Sequence, residues 1–298
     1  MILFFLLNAI TYLHAYRFTH FSDAAQPRTT EHISAFEKLK TLFTGIKNPR
    51  PENKFKPSHP YLPVKIQSNK LLGCWLINAN HAKGTVLLFH GYGSEKSSML
   101  DKADEFVKMN VNVMLVDFMG AGESEGNQTT IGFKEAEEVK DCFNYIQEKG
   151  ETNIHLFGTS MGAVAIMKAI SDYKIQPKSI MIECPFGSMY KTVCARFKLV
   201  NVPTFPMAGM LMFWGGIQNG FWAFSHNPVD YAKDISCPTL LLFGEKDNRV
   251  SREEIDTIFS NLKGPKQLVT YPSAGHENYL NKYKEQWISD VKKFLSSN

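Results

Sequence analysis

The sequence predicts an α/β protein built on a mostly parallel sheet, and two patterns carry that expectation. Short, nearly continuous apolar runs recur at Thr85–Phe89, Val113–Val116, Ile154–Phe157, Ile180–Ile182, Thr239–Phe243 and Leu268–Tyr271. Unbroken rather than alternating runs belong to strands covered on both faces. Helical stretches lie between them. Phe133, Ala136, Val139, Phe143 and Ile146 share one face of a segment that Gly150 ends, and Trp287, Ile288, Val291, Phe294 and Leu295 form a last helix. Strand, helix and strand repeated in this way make a parallel sheet with right-handed crossovers.

Three regions fall outside the alternation. Residues 1–16 read MILFFLLNAITYLHAY, with no charged side chain before Arg17. The stretch is shorter than the ~20 residues of a membrane span and lacks the basic start of a signal peptide. A membrane anchor or export segment is the expected reading, beside a misplaced start codon or a buried helix, and its direction across a membrane is open. Residues 17–60 follow: a helix over Glu31–Thr44, with Ile33, Phe36, Leu39, Leu42 and Phe43 at helical spacing, then a basic linker. In that linker Pro49, Pro51, Pro57, Pro60 and Pro63 oppose regular structure. Its Lys47, Arg50, Lys54 and Lys56 would suit anionic lipid if the N-terminus is membranous.

The main domain is expected over residues 61–298. It opens with two strands around Val64–Gln67 and Leu71–Ile77, joined by Ser68-Asn69-Lys70. Residues 188–237 hold no clear strand, more than an ordinary connection needs. Their centre, MAGMLMFWGGIQNGFWAF, carries too many glycines and amides for a membrane helix. It reads as a lid whose apolar side chains either form its own core or line an acyl pocket.

The net charge of +4 is too mild to argue for a nucleic-acid partner. Cys74, Cys142, Cys184, Cys194 and Cys237 form no C-x-x-C pair, so neither zinc nor a disulfide framework is signalled. The glycines at 120, 122 and 126 miss the G-x-G-x-x-G spacing, GYGSEKSS is not a phosphate loop, and H-E-x-x-H does not occur. No cofactor or metal is expected.

The chemistry gathers at the carboxyl ends of the strands, where parallel sheets place function. Ser160, in FGTSMGAV, sits between an apolar run and a small-residue helix, the setting of a nucleophile elbow. Gly158 and Gly162 let strand and helix approach closely. A serine needs a base, and His276, in PSAGHENY, follows the last strand. His90 also follows a strand but more simply supports the glycine loop around it. The base needs an acid, for which Asp247, in LLLFGEKDNRV, is preferred over Glu245 and Glu183. An oxyanion hole is expected from the backbone N–H groups of Tyr92, in FHGYGS, and Met161.

The ordered set FHGYG, VDFMGAGES, FGTSMGAV, GEKD and AGH resembles the α/β-hydrolase superfamily. Within it the chain is most similar to the branch of serine-aminopeptidase-like and monoglyceride-lipase-like proteins with membrane-anchored bacterial relatives. The resemblance implies an eight-stranded sheet with a helical lid after the sixth strand. It also implies a two-step acyl-enzyme mechanism without cofactor. The expected activity is cleavage of an ester or related acyl bond in a small or lipid-like substrate. An aminopeptidase or amidase of the same fold is the alternative, and a membrane-tethered protein that binds without catalysis is a third. The Gly- and Trp-rich lid departs from relatives, and residues 1–60 have no counterpart in the resemblance.

Overall fold

The computed structural model describes residues 1–23, 41, 43–199 and 201–298. The helix expected over Glu31–Thr44 therefore lies almost wholly outside the described residues. Helix α1 spans Ile2–Thr19. The main sheet takes β1 (Tyr61–Gln67), β2 (Leu71–Ile77), β3 (Thr85–Phe89), β4 (Asn112–Val116), β5 (Ile154–Thr159), β6 (Ser179–Glu183), β7 (Thr239–Gly244) and β8 (Lys266–Tyr271). Their spatial order is β8-β7-β6-β5-β3-β4-β2-β1, parallel except that β2 runs against both of its neighbours. The longer helices after α1 are α2 (Leu100–Lys108), α3 (Glu135–Glu148), α4 (Met161–Tyr173), α5 (Met189–Leu199), α6 (Met207–Asn219), α7 (Arg252–Asn261) and α8 (Lys284–Ser297).

Alternation along each buried strand divides the core into two layers. Leu87, Phe89, Leu241 and Phe243 face α3, α4 and α7, meeting Val139, Phe143, Ile166 and Ile255. Val86, Leu88, Leu240 and Leu242 face α2 and α8, meeting Phe106, Trp287 and Val291. This is the α/β-hydrolase architecture with a mostly parallel eight-stranded sheet. Helices α5 and α6 fall between β6 and β7, so the lid follows the sixth strand. Met189, Val193, Ala208 and Met212 of the lid belong to the same core layer as α4.

Pro63 lies inside β1, not in a structureless linker. The strand is at the edge of the sheet, where proline's missing N–H interrupts no ladder. The Pro-rich stretch before it is laid on the loop after β4. Arg50 donates to the carbonyls of Gly126 and Ser124, and Lys56 pairs with Glu123 at 2.9 Å. Two of the four basic side chains thus already have partners within the protein.

The expectation of a transmembrane segment at the N-terminus is not supported. Among the described residues no helix is long and apolar enough to cross a membrane. Helix α1 instead packs along lid helix α6: Trp214 Nε1 donates to Asn8 Oδ1 at 3.1 Å, Gln218 Nε2 donates to the Tyr12 carbonyl at 2.8 Å, and the Tyr12 and Trp214 rings meet edge-on at 5.3 Å. Its C-terminal end is tied to the main domain, where the Thr129 amide donates to the Thr19 carbonyl at 2.8 Å and Phe21 donates to the Asn127 carbonyl at 2.6 Å. Polar groups at Asn8, Thr11 and His14 interrupt the apolar run, and part of its apolar surface covers the lid. Met1, Ile2, Phe4 and Phe5 at its start stay exposed.

Candidate active site

Strand β5 ends at Thr159, and the chain turns at Ser160 with φ 53° and ψ −110° before α4 begins at Met161. A non-glycine residue at positive φ is strained and is held only by its surroundings. Here the Ser160 amide donates to the Glu183 carbonyl at 2.8 Å. A side chain at Gly158 would meet the backbone of Gly162 at 2.5 Å, and one at Gly162 would meet the Phe89 carbonyl oxygen at 2.2 Å. Both glycines are required by the close crossing of β3, β5 and α4.

The loops after β7 and β8 bring the other two residues to Ser160. Lys246 donates through its amide to the Ala274 carbonyl at 2.8 Å, joining the two loops. Asp247 Oδ1 accepts the amides of Arg249 (2.8 Å) and Val250 (3.0 Å), which leaves Oδ2 for His276 Nδ1 at 2.7 Å. His276 Nε2 lies 3.1 Å from Ser160 Oγ. The Asp247 side chain is wholly buried and that of His276 is 13% exposed. A carboxylate only accepts, so Nδ1 carries the proton and Nε2 is free to receive one from the serine.

The rival acids lie elsewhere. Glu245 is exposed. The buried Glu183 carboxylate accepts from Thr159 Oγ1 at 2.9 Å and Trp287 Nε1 at 2.8 Å, with Lys102 Nζ at 3.6 Å. It braces the residue before Ser160 rather than the histidine. Lys102 also donates to Asn278 at 2.7 Å, two residues past His276, so one buried group of charges underpins both loops. His90 donates from Nδ1 to the Gly91 carbonyl at 2.8 Å and accepts the Phe118 amide on Nε2 at 3.1 Å, which fixes the glycine loop. That loop lies against the serine: a side chain at Gly91 would sit 3.7 Å from Ser160 Cβ. The amides of Tyr92, in the loop, and Met161, at the first position of α4, donate to no protein group among the described residues. Helix starts leave such donors free.

One neighbour of the site was not anticipated from sequence. Buried Cys184, the residue after β6, brings its sulfur together with Asp247 and His276, their donor atoms all within 4.8 Å of one another. Its place at a strand's carboxyl end was the available signal. The three atoms are a possible metal set, but Asp247 and His276 are 2.7 Å apart, whereas two ligands of one tetrahedral zinc stand roughly 3.4 Å apart from its bond lengths. The contact is a hydrogen bond, not a ligand pair.

Burial works to lower the pKa of His276, but the Cys184 sulfur and the Asp247 carboxylate outweigh it, and the net direction is up. Activity that needs a neutral imidazole then rises with pH only above the ordinary histidine value, as His276 loses its proton. Cys184→Ala removes one of the groups that raise it. The acidic limb of kcat/KM is expected to move to lower pH in that variant; an unmoved limb would show that the sulfur does not act on the imidazole.

A narrow apolar cleft of about 30 Å³ runs between α1 and the lid. Ala15, Phe18 and Thr19 form one wall, and Val193, Leu211 and Met212 another. This volume suits a water or two rather than an acyl chain. The Phe18 ring stacks on Tyr92 at 4.9 Å, and Tyr92 Oη donates to the Phe18 carbonyl at 2.7 Å, so the N-terminal segment touches the loop beside Ser160.

The chain is similar to known families and solved structures. Residues 80–228 match the family described as serine aminopeptidase, S33, and residues 195–294 match the dienelactone hydrolase family. The uncharacterized protein YqkD of Bacillus subtilis is 23% identical over 219 residues, covering 72% of this chain and 71% of its own. Among solved structures, the esterase Pf2001 of Pyrococcus furiosus superposes with a TM-score of 0.70 at 24% identity, covering 84% of this chain and 96% of that one. The esterase EaEST of Exiguobacterium antarcticum superposes with a TM-score of 0.61 at 17% identity, covering 79% of this chain and 100% of that one. With half its length matched and the sheet, lid and strand-end loops in place, the chain belongs to the serine aminopeptidase S33 family of α/β hydrolases.

Proposed function

We propose that the protein is a serine hydrolase that cleaves a carboxylic ester through an acyl-enzyme on Ser160. The observation that carries the reading is the continuous relay from Asp247 Oδ2 through His276 to Ser160 Oγ, at 2.7 and 3.1 Å. In the proposed reaction Ser160 Oγ attacks the ester carbonyl as its proton passes to His276 Nε2. The amides of Tyr92 and Met161 take the developing oxyanion. His276 then gives the proton to the leaving alcohol as the C–O bond breaks. Water repeats the sequence on the acyl-enzyme and releases the acid and the serine. Asp247 holds the imidazole in the tautomer that each step needs.

Esters are preferred over peptides because the cleft offers apolar walls and no acidic pair for a free amino terminus. A panel of p-nitrophenyl esters of graded acyl length, run beside aminoacyl amides, tests this. Ester turnover is expected to dominate. Amide turnover with inert esters would support the aminopeptidase alternative instead. The cleft must widen to admit a chain, so the lid moves during turnover in this account.

A lipid surface is the proposed place of work, touched rather than crossed. Met1, Ile2, Phe4 and Phe5 on α1, with Phe205 and Phe213 on and beside α6, are exposed apolar side chains next to the lid. Binding to anionic lipid vesicles is expected in the wild type and its loss in the Phe4→Ser, Phe5→Ser double variant. Equal binding by both proteins would discard this part of the proposal.

A further inference from the structure

A helix leaves its last carbonyls without partners of its own, and those of α1 are taken up by three separate parts of the chain. Asn48 Nδ2 donates to the Arg17 carbonyl at 3.0 Å, Tyr92 Oη to that of Phe18 at 2.7 Å, and the Thr129 amide to that of Thr19 at 2.8 Å. Asn48 Nδ2 also donates to Tyr92 Oη at 3.0 Å, so the phenol is held from both sides. The Tyr92 ring stacks on Phe18 at 4.9 Å with 16° between the planes, and Phe21 is tilted against it at 6.1 Å. The guanidinium of Arg196, on α5, lies over the Phe18 ring at 5.0 Å and the Tyr92 ring at 5.4 Å.

The end of α1 therefore meets both residues whose amides are assigned to the oxyanion. Tyr92 carries one amide, and its side chain ends on the Phe18 carbonyl. Thr129, whose own amide holds Thr19, places Oγ1 3.4 Å from the sulfur of Met161, which carries the other. That hydroxyl donates to Glu135 at 2.6 Å, so its contact with Met161 is one of packing. An amide stabilises the oxyanion only when it points to where that oxygen forms, and a donor lost altogether costs roughly 10²–10³ in kcat. His90 fixes the loop before Tyr92. After it stands Gly93, at φ 67°, where the backbone has most freedom. The direction of the Tyr92 amide then depends on where its side chain is anchored.

We infer that the C-terminal turn of α1 is part of the active site: with Asn48 it holds the Tyr92 side chain so that the Tyr92 amide is aimed at the oxyanion. The Tyr92 phenol and Asn48 are positioning groups, since both act through that amide. The inference rests on the serine-hydrolase reading above. Loosening the anchor should weaken only the states in which the substrate oxygen carries charge, and leave ground-state binding alone.

The test reads hydrolysis of p-nitrophenyl hexanoate beside inhibition by pentyl trifluoromethyl ketone. Ser160 Oγ adds to the ketone carbon, its proton passes to His276, and the ketone oxygen becomes an oxyanion. Ki thus follows the oxyanion hole, and KM follows substrate binding. Tyr92→Phe removes Oη and keeps the ring and the amide. It is expected to lower kcat and raise Ki by about ten-fold each, less than the loss of a whole donor, with KM within about two-fold of wild type. Asn48→Ala removes one of the two bonds to Oη and is expected to act in the same direction by about three-fold. Rates are taken per site titrated with a fluorophosphonate, so that misfolded protein is not counted. Tyr92→Phe with kcat and Ki unchanged, or with kcat lowered and Ki unmoved, overturns the inference. If that variant does not fold, Asn48→Ala decides by the same criteria. Labelled wild-type enzyme beside variants that behave like it overturns this inference alone, whereas folded wild-type protein without labelling or turnover removes both.

Discussion

Ser160→Ala is expected to lower kcat by about 10⁶-fold while leaving the fold intact, the loss typical of removing a nucleophile that acts as one unit with its base. The residue is half-exposed at the tip of the elbow, and its amide bond to the Glu183 carbonyl survives the change. Alanine tolerates the positive φ no worse than serine does. What disappears is Oγ, 3.1 Å from His276 Nε2. Residual activity should reflect only substrate binding and the amides of Tyr92 and Met161. Esterase activity within ten-fold of wild type would place the chemistry on another group.

Asp247→Asn is expected to cost about 10⁴-fold in kcat, through the tautomer and not through the fold. The amides of Arg249 and Val250 already donate to Oδ1. An asparagine must turn its carbonyl oxygen toward those two donors, which points its NH₂ at His276 Nδ1. That nitrogen can then only accept, so the proton moves to Nε2 and His276 can no longer take one from Ser160. Retained turnover in this variant would move the acid role away from Asp247. Glu183 is a poor substitute, because its carboxylate is occupied by Thr159 and Trp287.

The main sheet was legible in the sequence because its strands are buried on both faces, and burial writes itself as apolar runs of the right length. Ser160, Asp247 and His276 were legible because each stands at the carboxyl end of such a run. The structure then sorted what local pattern left open: several carboxylates stand at strand ends, and side-chain direction distinguishes Asp247 from Glu245 and Glu183. The contacts of the N-terminus were not legible for a related reason. An apolar helix shows in sequence that it will be covered, but not by what, and the cover of α1 comes from Trp214 and Gln218, some two hundred positions away. Pro63 misled because its tolerance depends on β1 being an edge strand. The stacking of the Arg196 guanidinium on Phe18 and Tyr92 gave no local signal, because it exists only where α1, α5 and the loop of Tyr92 meet.

The most direct measurement is the site of covalent labelling by a fluorophosphonate in the folded protein, read by peptide mass spectrometry. The account predicts one adduct, on Ser160, whose rate of formation falls sharply in Asp247→Asn and which is absent from Ser160→Ala. Folded wild-type protein that stays unlabelled, or an adduct that persists in Ser160→Ala, would contradict it.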